Sequence, residues 1–162
     1  MKVIGLTGPS GAGKTLFCKF AERCGVPSID ADRIYHDLLV PPSPCLDEIV
    51  AAFGREVLSV NGTLNRAALA ALVFGPSETS RAKLALLNRI THKYVTEKIR
   101  ARLKEEEGRG TPAVLVDAPA LFESEFDKSC DCTVALLATP ETRRKRIMER
   151  DSLSGEKADQ RI

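Results

Sequence analysis

The chain has 162 residues, 43% of them apolar, with 24 basic against 22 acidic side chains and a formal net charge of +2. That size holds one domain with a genuine core and a small insertion, and the near balance of charge excludes a field drawing the whole molecule to nucleic acid or to a membrane. Five cysteines without paired C-x-x-C spacing argue against a disulfide framework or zinc knuckle and for a reducing, cytoplasmic setting; no apolar run reaches bilayer length, and the residues after Met1 do not read as a secretory leader.

In chain order, the apolar run Val3-Ile4-Gly5-Leu6 predicts a strand. It ends in Gly8-Pro9-Ser10-Gly11-Ala12-Gly13-Lys14-Thr15, a complete G-x-x-x-x-G-K-[ST] loop. A strand that ends so and opens a helix presents successive backbone N–H groups to a polyphosphate, and the helix dipole adds positive charge there. Gly8, Gly11 and Gly13 let the backbone turn and approach the phosphates, Lys14 reaches the β and γ oxygens, and the Thr15 hydroxyl is a ligand for Mg²⁺. Leu16, Phe17, Phe20, Ala21 and Cys24 then recur at helical spacing opposite Lys19, Glu22 and Arg23, which predicts a core-facing helix stopped by Gly25.

Val26 to Ile29 reads as a short strand delivering Asp30-Ala31-Asp32. On an extended segment the two aspartates share parity and point to one face. They are either a turn between strand and helix or carboxylates at the carboxyl end of a strand, where ligands of doubly wound sheets sit and where one of them accepts a substrate hydroxyl proton. From about Arg33 to Arg102 the pattern is helical, interrupted at Pro41-Pro42-Ser43-Pro44, Val60-Asn61-Gly62-Thr63 and Gly75-Pro76-Ser77. Its last helix carries Leu87, Ile90, Tyr94, Ile99 and Leu103 on one stripe and ends at Gly108.

Ala113 to Val116 is an apolar run of the kind buried on both faces of a parallel sheet, and it ends in Asp117, placed as a Walker B carboxylate for Mg²⁺. A second such run, Thr133 to Leu137, leads through Pro140 into a basic helix. Strands separated by helices imply a three-layer α/β/α P-loop core around a parallel sheet. Arg143, Arg146 and Arg150 share a face of the basic helix at i, i+3 and i+7, either as a solvated face or as a lid over the nucleotide; Arg144 and Lys145 belong to the solvated side. Cys130-Asp131-Cys132 offers too few ligands for a metal and is assigned to strand entry. Spacing alone does not single out Arg66 or His92.

The ordered set of elements resembles the dephospho-CoA kinase family along almost the whole chain. The resemblance rests on Ile4 through Thr15, Ile29-Asp30-Ala31-Asp32, Phe53-Gly54, Gly62-Thr63-Leu64-Asn65-Arg66 with Leu69, and Val73-Phe74. It continues through Leu87-Asn88-Arg89-Ile90-Thr91-His92, Val116-Asp117-Ala118-Pro119-Ala120-Leu121-Phe122-Glu123, and Pro140-Glu141-Thr142 to Arg146 and Arg150-Asp151.

The resemblance implies ATP-dependent phosphorylation of the 3'-hydroxyl of dephospho-CoA, with ATP on Gly8, Ser10, Gly11, Ala12, Gly13, Lys14, Thr15 and Leu16 and with Mg²⁺ on Thr15 and Asp117. It makes Asp32 the general base, Lys14 and Arg146 the groups facing the transferring phosphoryl, and Arg66, His92, Phe122 and Glu123 the further substrate contacts. It implies one kinase domain: a core at about 1–33 and 109–139, a helical CoA-binding insertion at about 34–108, and a partial lid at about 140–162. Pro9, Leu16 and Lys93 depart from the family pattern without removing a reacting group. Beyond Ile162 the family continues with a helix, an edge strand and a final helix, so the chain is expected to be part of a longer product. A kinase of another small metabolite or of a nucleoside monophosphate and a truncated, non-catalytic nucleotide-binding protein remain the alternatives, and the oligomeric state stays open.

Overall fold

The computed structural model describes residues 1–162 and divides into two compact units, Met1–Ala31 with Arg102–Ile162, and Asp32–Ala101. The first unit is built on four strands: β1 (Lys2–Thr7), β2 (Ser28–Asp30), β3 (Ala113–Asp117) and β4 (Cys132–Ala135). All pairings are parallel, in the order β2-β3-β1-β4. The two apolar strands therefore lie in the middle, and Leu6, Val114, Leu115 and Val116 are sealed from solvent.

Helix α1 (Lys14–Arg23) covers one face of the sheet, where Cys18 closes a cluster with Leu6 and Leu115, edged by half-buried Ile4, Ala21, Val26, Val134 and Leu136. On the other face, Leu121 and Cys130 meet the position of Gly5. The unit ends in α6 (Pro140–Asp151) and α7 (Gly155–Asp159). At the start of α6 the Thr139 hydroxyl accepts from Thr142 N–H and Pro140 occupies the first turn, where its missing N–H costs no hydrogen bond.

Three expectations change here. The apolar stripe of α1 faces the core only in part: Leu16 and Phe20 are 73% and 66% exposed and Cys24 is exposed, while Ala21 of that stripe packs on the sheet beside Cys18. The run Thr133 to Leu137 is not buried on both faces, since β4 is an edge strand with Thr133, Ala135 and Leu137 exposed. Finally, the segment after β2 is not extended; the helix begins at Ala31, so Asp30 ends a strand while Asp32 stands in a first helical turn, and the parity that placed both on one face does not apply.

The second unit is helical. It contains α2 (Ala31–Asp37, whose first residue belongs to the first unit), α3 (Pro44–Phe53), a 3-10 turn at Arg55–Val57, α4 (Arg66–Val73) and the start of α5 (Glu78–Gly108), with the boundary falling between Ala101 and Arg102. Each break coincides with a capping or turn residue. Buried Ser43 donates to the Leu38 carbonyl and accepts from Leu46 N–H, while Asn65 Oδ1 caps α4 through Ala68 N–H at 3.1 Å. Between them Asn61 and Gly62 turn the chain, and Leu58 bridges Leu64. The buried apolar residues of this unit include Ile34, Leu39, Cys45, Leu46, Ile49, Phe53, Val57, Leu69, Val73, Leu87, Ile90 and Ile99. No helix is long and apolar enough to cross a membrane.

Candidate active site

The phosphate loop is held in shape by its neighbours in the first unit. Ala12 N–H donates to the Pro9 carbonyl at 3.1 Å, Lys14 Nζ to the Gly8 carbonyl at 2.8 Å, and Leu16 and Phe17 N–H to the Gly13 carbonyl, which starts α1. Gly8 has φ +147° and Gly11 φ +77°. A Cβ on Gly8 would stand 2.4 Å from the Leu136 carbonyl oxygen, and one on Gly11 would stand 2.8 Å from that of Arg143. These glycines are thus required by the protein's own chain, because the β4–α6 segment occupies the space a side chain would need.

Two of the three aligned α6 arginines reach this loop. Arg143, 9% exposed, donates from Nε to the Ser10 carbonyl and from Nη2 to the Ile162 carbonyl, both at 2.8 Å. Arg146 donates from Nη1 to the carbonyls of Gly11 (3.2 Å) and Ala12 (3.1 Å). Arg150 turns away and forms a two-point pair with Asp151, whose carboxyl is held below its ordinary range by that hydrogen bond. Exposed Arg144 pairs with Asp159 at 2.7 Å, in keeping with a solvated face.

Asp117 stands at the carboxyl end of β3, level with Leu6 of β1 and Asp30 of β2. Cys18 Sγ donates to Asp117 Oδ2 at 3.9 Å; burial, then the Asp117 charge, pushes the Cys18 thiol up to about 11, so it stays protonated at neutral pH. Thr15 lies one helical turn before Cys18, on the same side of α1. A hydroxyl and a carboxylate are the hard oxygen donors that Mg²⁺ takes beside phosphate and water, and no group of three or more His, Cys, Asp and Glu offers a closed cage for another metal. The donor set fits Mg²⁺. Beside the loop, a cavity of about 620 Å³ is lined by Ala12, Gly13, Leu16, Phe17 and Leu136, with Arg146 at its rim.

In the second unit, exposed Asp32 lies in the first turn of α2, where a carboxylate meets the positive end of the helix. Arg66, the first residue of α4, has Nη2 2.9 Å from His36 Nδ1. An arginine can only donate, so His36 accepts on Nδ1 and carries its proton on Nε2. His92 is half-buried on α5, and the adjacent Lys93 and Tyr94 both donate to Glu48 Oε2, at 2.9 and 2.7 Å. The Tyr94 hydroxyl, then Lys93, holds the Glu48 carboxyl below its ordinary range. Phe122 and Glu123 are exposed in the turns that follow β3 in the first unit. Lys14, Thr15, Asp117 and Arg146 thus gather around the loop and first turn of α1 in one unit, while Asp32, Arg66 and His92 belong to the other.

The profile of the dephospho-CoA kinase family matches residues 2–162. The chain belongs to that family. It is 39% identical over 161 residues to the dephospho-CoA kinase of Listeria monocytogenes, covering 99% of this chain and 78% of the relative. Among solved structures, a Thermus thermophilus protein is similar with a TM-score of 0.74 and 30% identity, over 99% of this chain and 78% of its own. The dephospho-CoA kinase of Campylobacter jejuni gives 0.65 and 27%, over 99% and 79%.

Two contacts with members of the family's residue set were not legible from spacing. His36 holds Arg66, and Arg143 holds the loop that carries Lys14. The repeat of arginine at 143 and 146 was a visible signal for the second; nothing in the sequence joins His36 to a residue thirty positions on.

Proposed function

We propose that this chain transfers the γ-phosphoryl group of ATP to the 3'-hydroxyl of dephospho-CoA, giving coenzyme A and ADP, the last step of coenzyme A synthesis. The observation that carries the reading is a complete phosphate loop, braced by α6, in a chain matched by the dephospho-CoA kinase family from residue 2 to 162.

The loop from Gly8 to Thr15, with Leu16, binds the ATP phosphates through backbone N–H groups and Lys14. Thr15 and Asp117 would hold Mg²⁺, which would supply charge neutralising the polyphosphate. Asp32 accepts the 3'-hydroxyl proton as the ribose oxygen bonds to the γ-phosphorus and the bond to the ADP oxygen breaks. Lys14 and Arg146 face the charge on the transferring group, Arg66 and His92 bind dephospho-CoA, and Phe122 and Glu123 line the acceptor site. The chain acts as one kinase domain with the insertion at about 34–108 as its CoA-binding part and about 140–162 as a partial lid. Five free cysteines support a cytoplasmic setting.

The test is ADP release with dephospho-CoA as acceptor, on the native chain and on Asp32→Asn. Native turnover with a fall of at least about a hundredfold in the variant is expected. A folded Asp32→Asn protein turning over at the native rate removes the base assignment, and turnover with other alcohols but not with dephospho-CoA removes the acceptor.

A further inference from the structure

Arg143 is the one charged residue this fold buries, and its Nε is satisfied by a backbone carbonyl, that of Ser10. Burying a guanidinium is costly unless its donors are satisfied. Here the Nε donor is used on the outer side of the phosphate loop, at the Ser10 carbonyl. The C=O of Ser10 and the N–H of Gly11 belong to one planar peptide unit and point in opposite directions. Fixing the first therefore fixes the second.

Arg146 repeats the device on the next two peptide units, through the carbonyls of Gly11 and Ala12. The Ala12 N–H is engaged by Pro9, so Gly11 and Gly13 are the N–H groups whose direction the two arginines set. The α6 backbone closes the arrangement: the Gly11 position lies against the Arg143 carbonyl, too near for any side chain.

We propose that Arg143 is a positioning residue for nucleotide binding: through Ser10 it orients the Gly11 N–H, on the side away from α6, toward the polyphosphate. The inference rests on the reading that this loop holds the ATP phosphates. A preorganised N–H costs no rearrangement when the anion arrives, and the positive charge of Arg143 adds to the field at the loop.

The experiment compares the native chain with Arg143→Met, Arg143→Gln and Arg143→Lys. Calorimetric titration with Mg²⁺-pyrophosphate and Mg²⁺-ADP is run beside steady-state kinetics. In Arg143→Met both affinities are expected to fall by about tenfold or more and KM for ATP to rise alike, with KM for dephospho-CoA unchanged. Arg143→Gln and Arg143→Lys, which keep an N–H donor, recover part of the loss. The Gly11 amide resonance of the ligand-free protein moves in Arg143→Met while that of Gly54 stays.

Folded Arg143→Met protein that binds pyrophosphate as tightly as the native chain overturns the proposal. So does an equal rise in KM for both substrates. Should Arg143→Met not fold, native pyrophosphate affinity with an unmoved Gly11 resonance in both other variants overturns it as well. A native chain that binds pyrophosphate but does not phosphorylate dephospho-CoA defeats the functional reading and leaves this one standing; one that binds neither pyrophosphate nor ADP defeats this one.

Discussion

The two compact units place their polar groups in different ways. Around the phosphate loop the polar partners are mostly backbone: Lys14, Arg143 and Arg146 all donate to loop carbonyls. In the helical unit the notable bonds run between side chains on separate helices, Arg66 with His36 and Glu48 with Lys93 and Tyr94. A site made of backbone depends on the conformation of consecutive residues, so its requirements are written as a contiguous motif. A site made of paired side chains depends on which helices meet. The first kind tolerates little change in the loop and the second can be altered one pair at a time.

That contrast can be broken by experiment. The largest effect is expected for Lys14→Ala, which removes the charge proposed to face the transferring phosphoryl group; kcat should fall by about 10²–10³ with the melting temperature little changed. A fall of less than tenfold would make the loop backbone sufficient by itself. A middle effect is expected for Arg66→Met: KM for dephospho-CoA rises about tenfold while KM for ATP stays, because the residue belongs to the other unit. Equal changes in both constants would erase the division of labour.

The smallest effect concerns Glu48. Its carboxyl titrates below the ordinary value of 4.5 in the folded chain, so the contribution of its bonds to stability is present above that value and is lost as pH falls through the lowered one. Glu48→Gln should therefore lower the melting temperature by a few degrees or less at pH 7, with the gap to the native chain closing as pH falls through the lowered value. A gap that stays constant as pH falls from 7 to the acid limit of the folded chain would show that packing, not charge, carries the pair.

Much of this was legible beforehand where local chemistry decides it. The strand-loop-helix at Gly8 to Thr15, the breaks in the helical insertion at Ser43, Asn61-Gly62 and Gly75-Pro76, and the carboxylate ending β3 all follow from turn, cap and motif residues close in sequence. The family's residue set supplied Arg66 and His92, which spacing alone did not single out, and chose Asp32 from the Asp30/Asp32 pair. The face of α1 was misread in part, since Ala21 of the stripe meets the sheet together with Cys18 while Leu16 and Phe20 do not; periodicity reports which side is apolar, not which side meets a sheet. The edge position of β4 was likewise invisible, since strand order is a matter of pairing between distant segments.

By itself the sequence determined the phosphate loop, the alternation of strands and helices and the family to which the chain belongs, because these depend on residues within a turn or two of one another or on their order. Only the tertiary structure decided that Asp32 sits in a helical turn, that the loop glycines are required by the β4–α6 segment, and that Arg143 is buried against the Ser10 carbonyl. Each of these turns on long-range packing. A buried donor must find an acceptor, and which acceptor it finds is settled only when the chain has brought distant segments together.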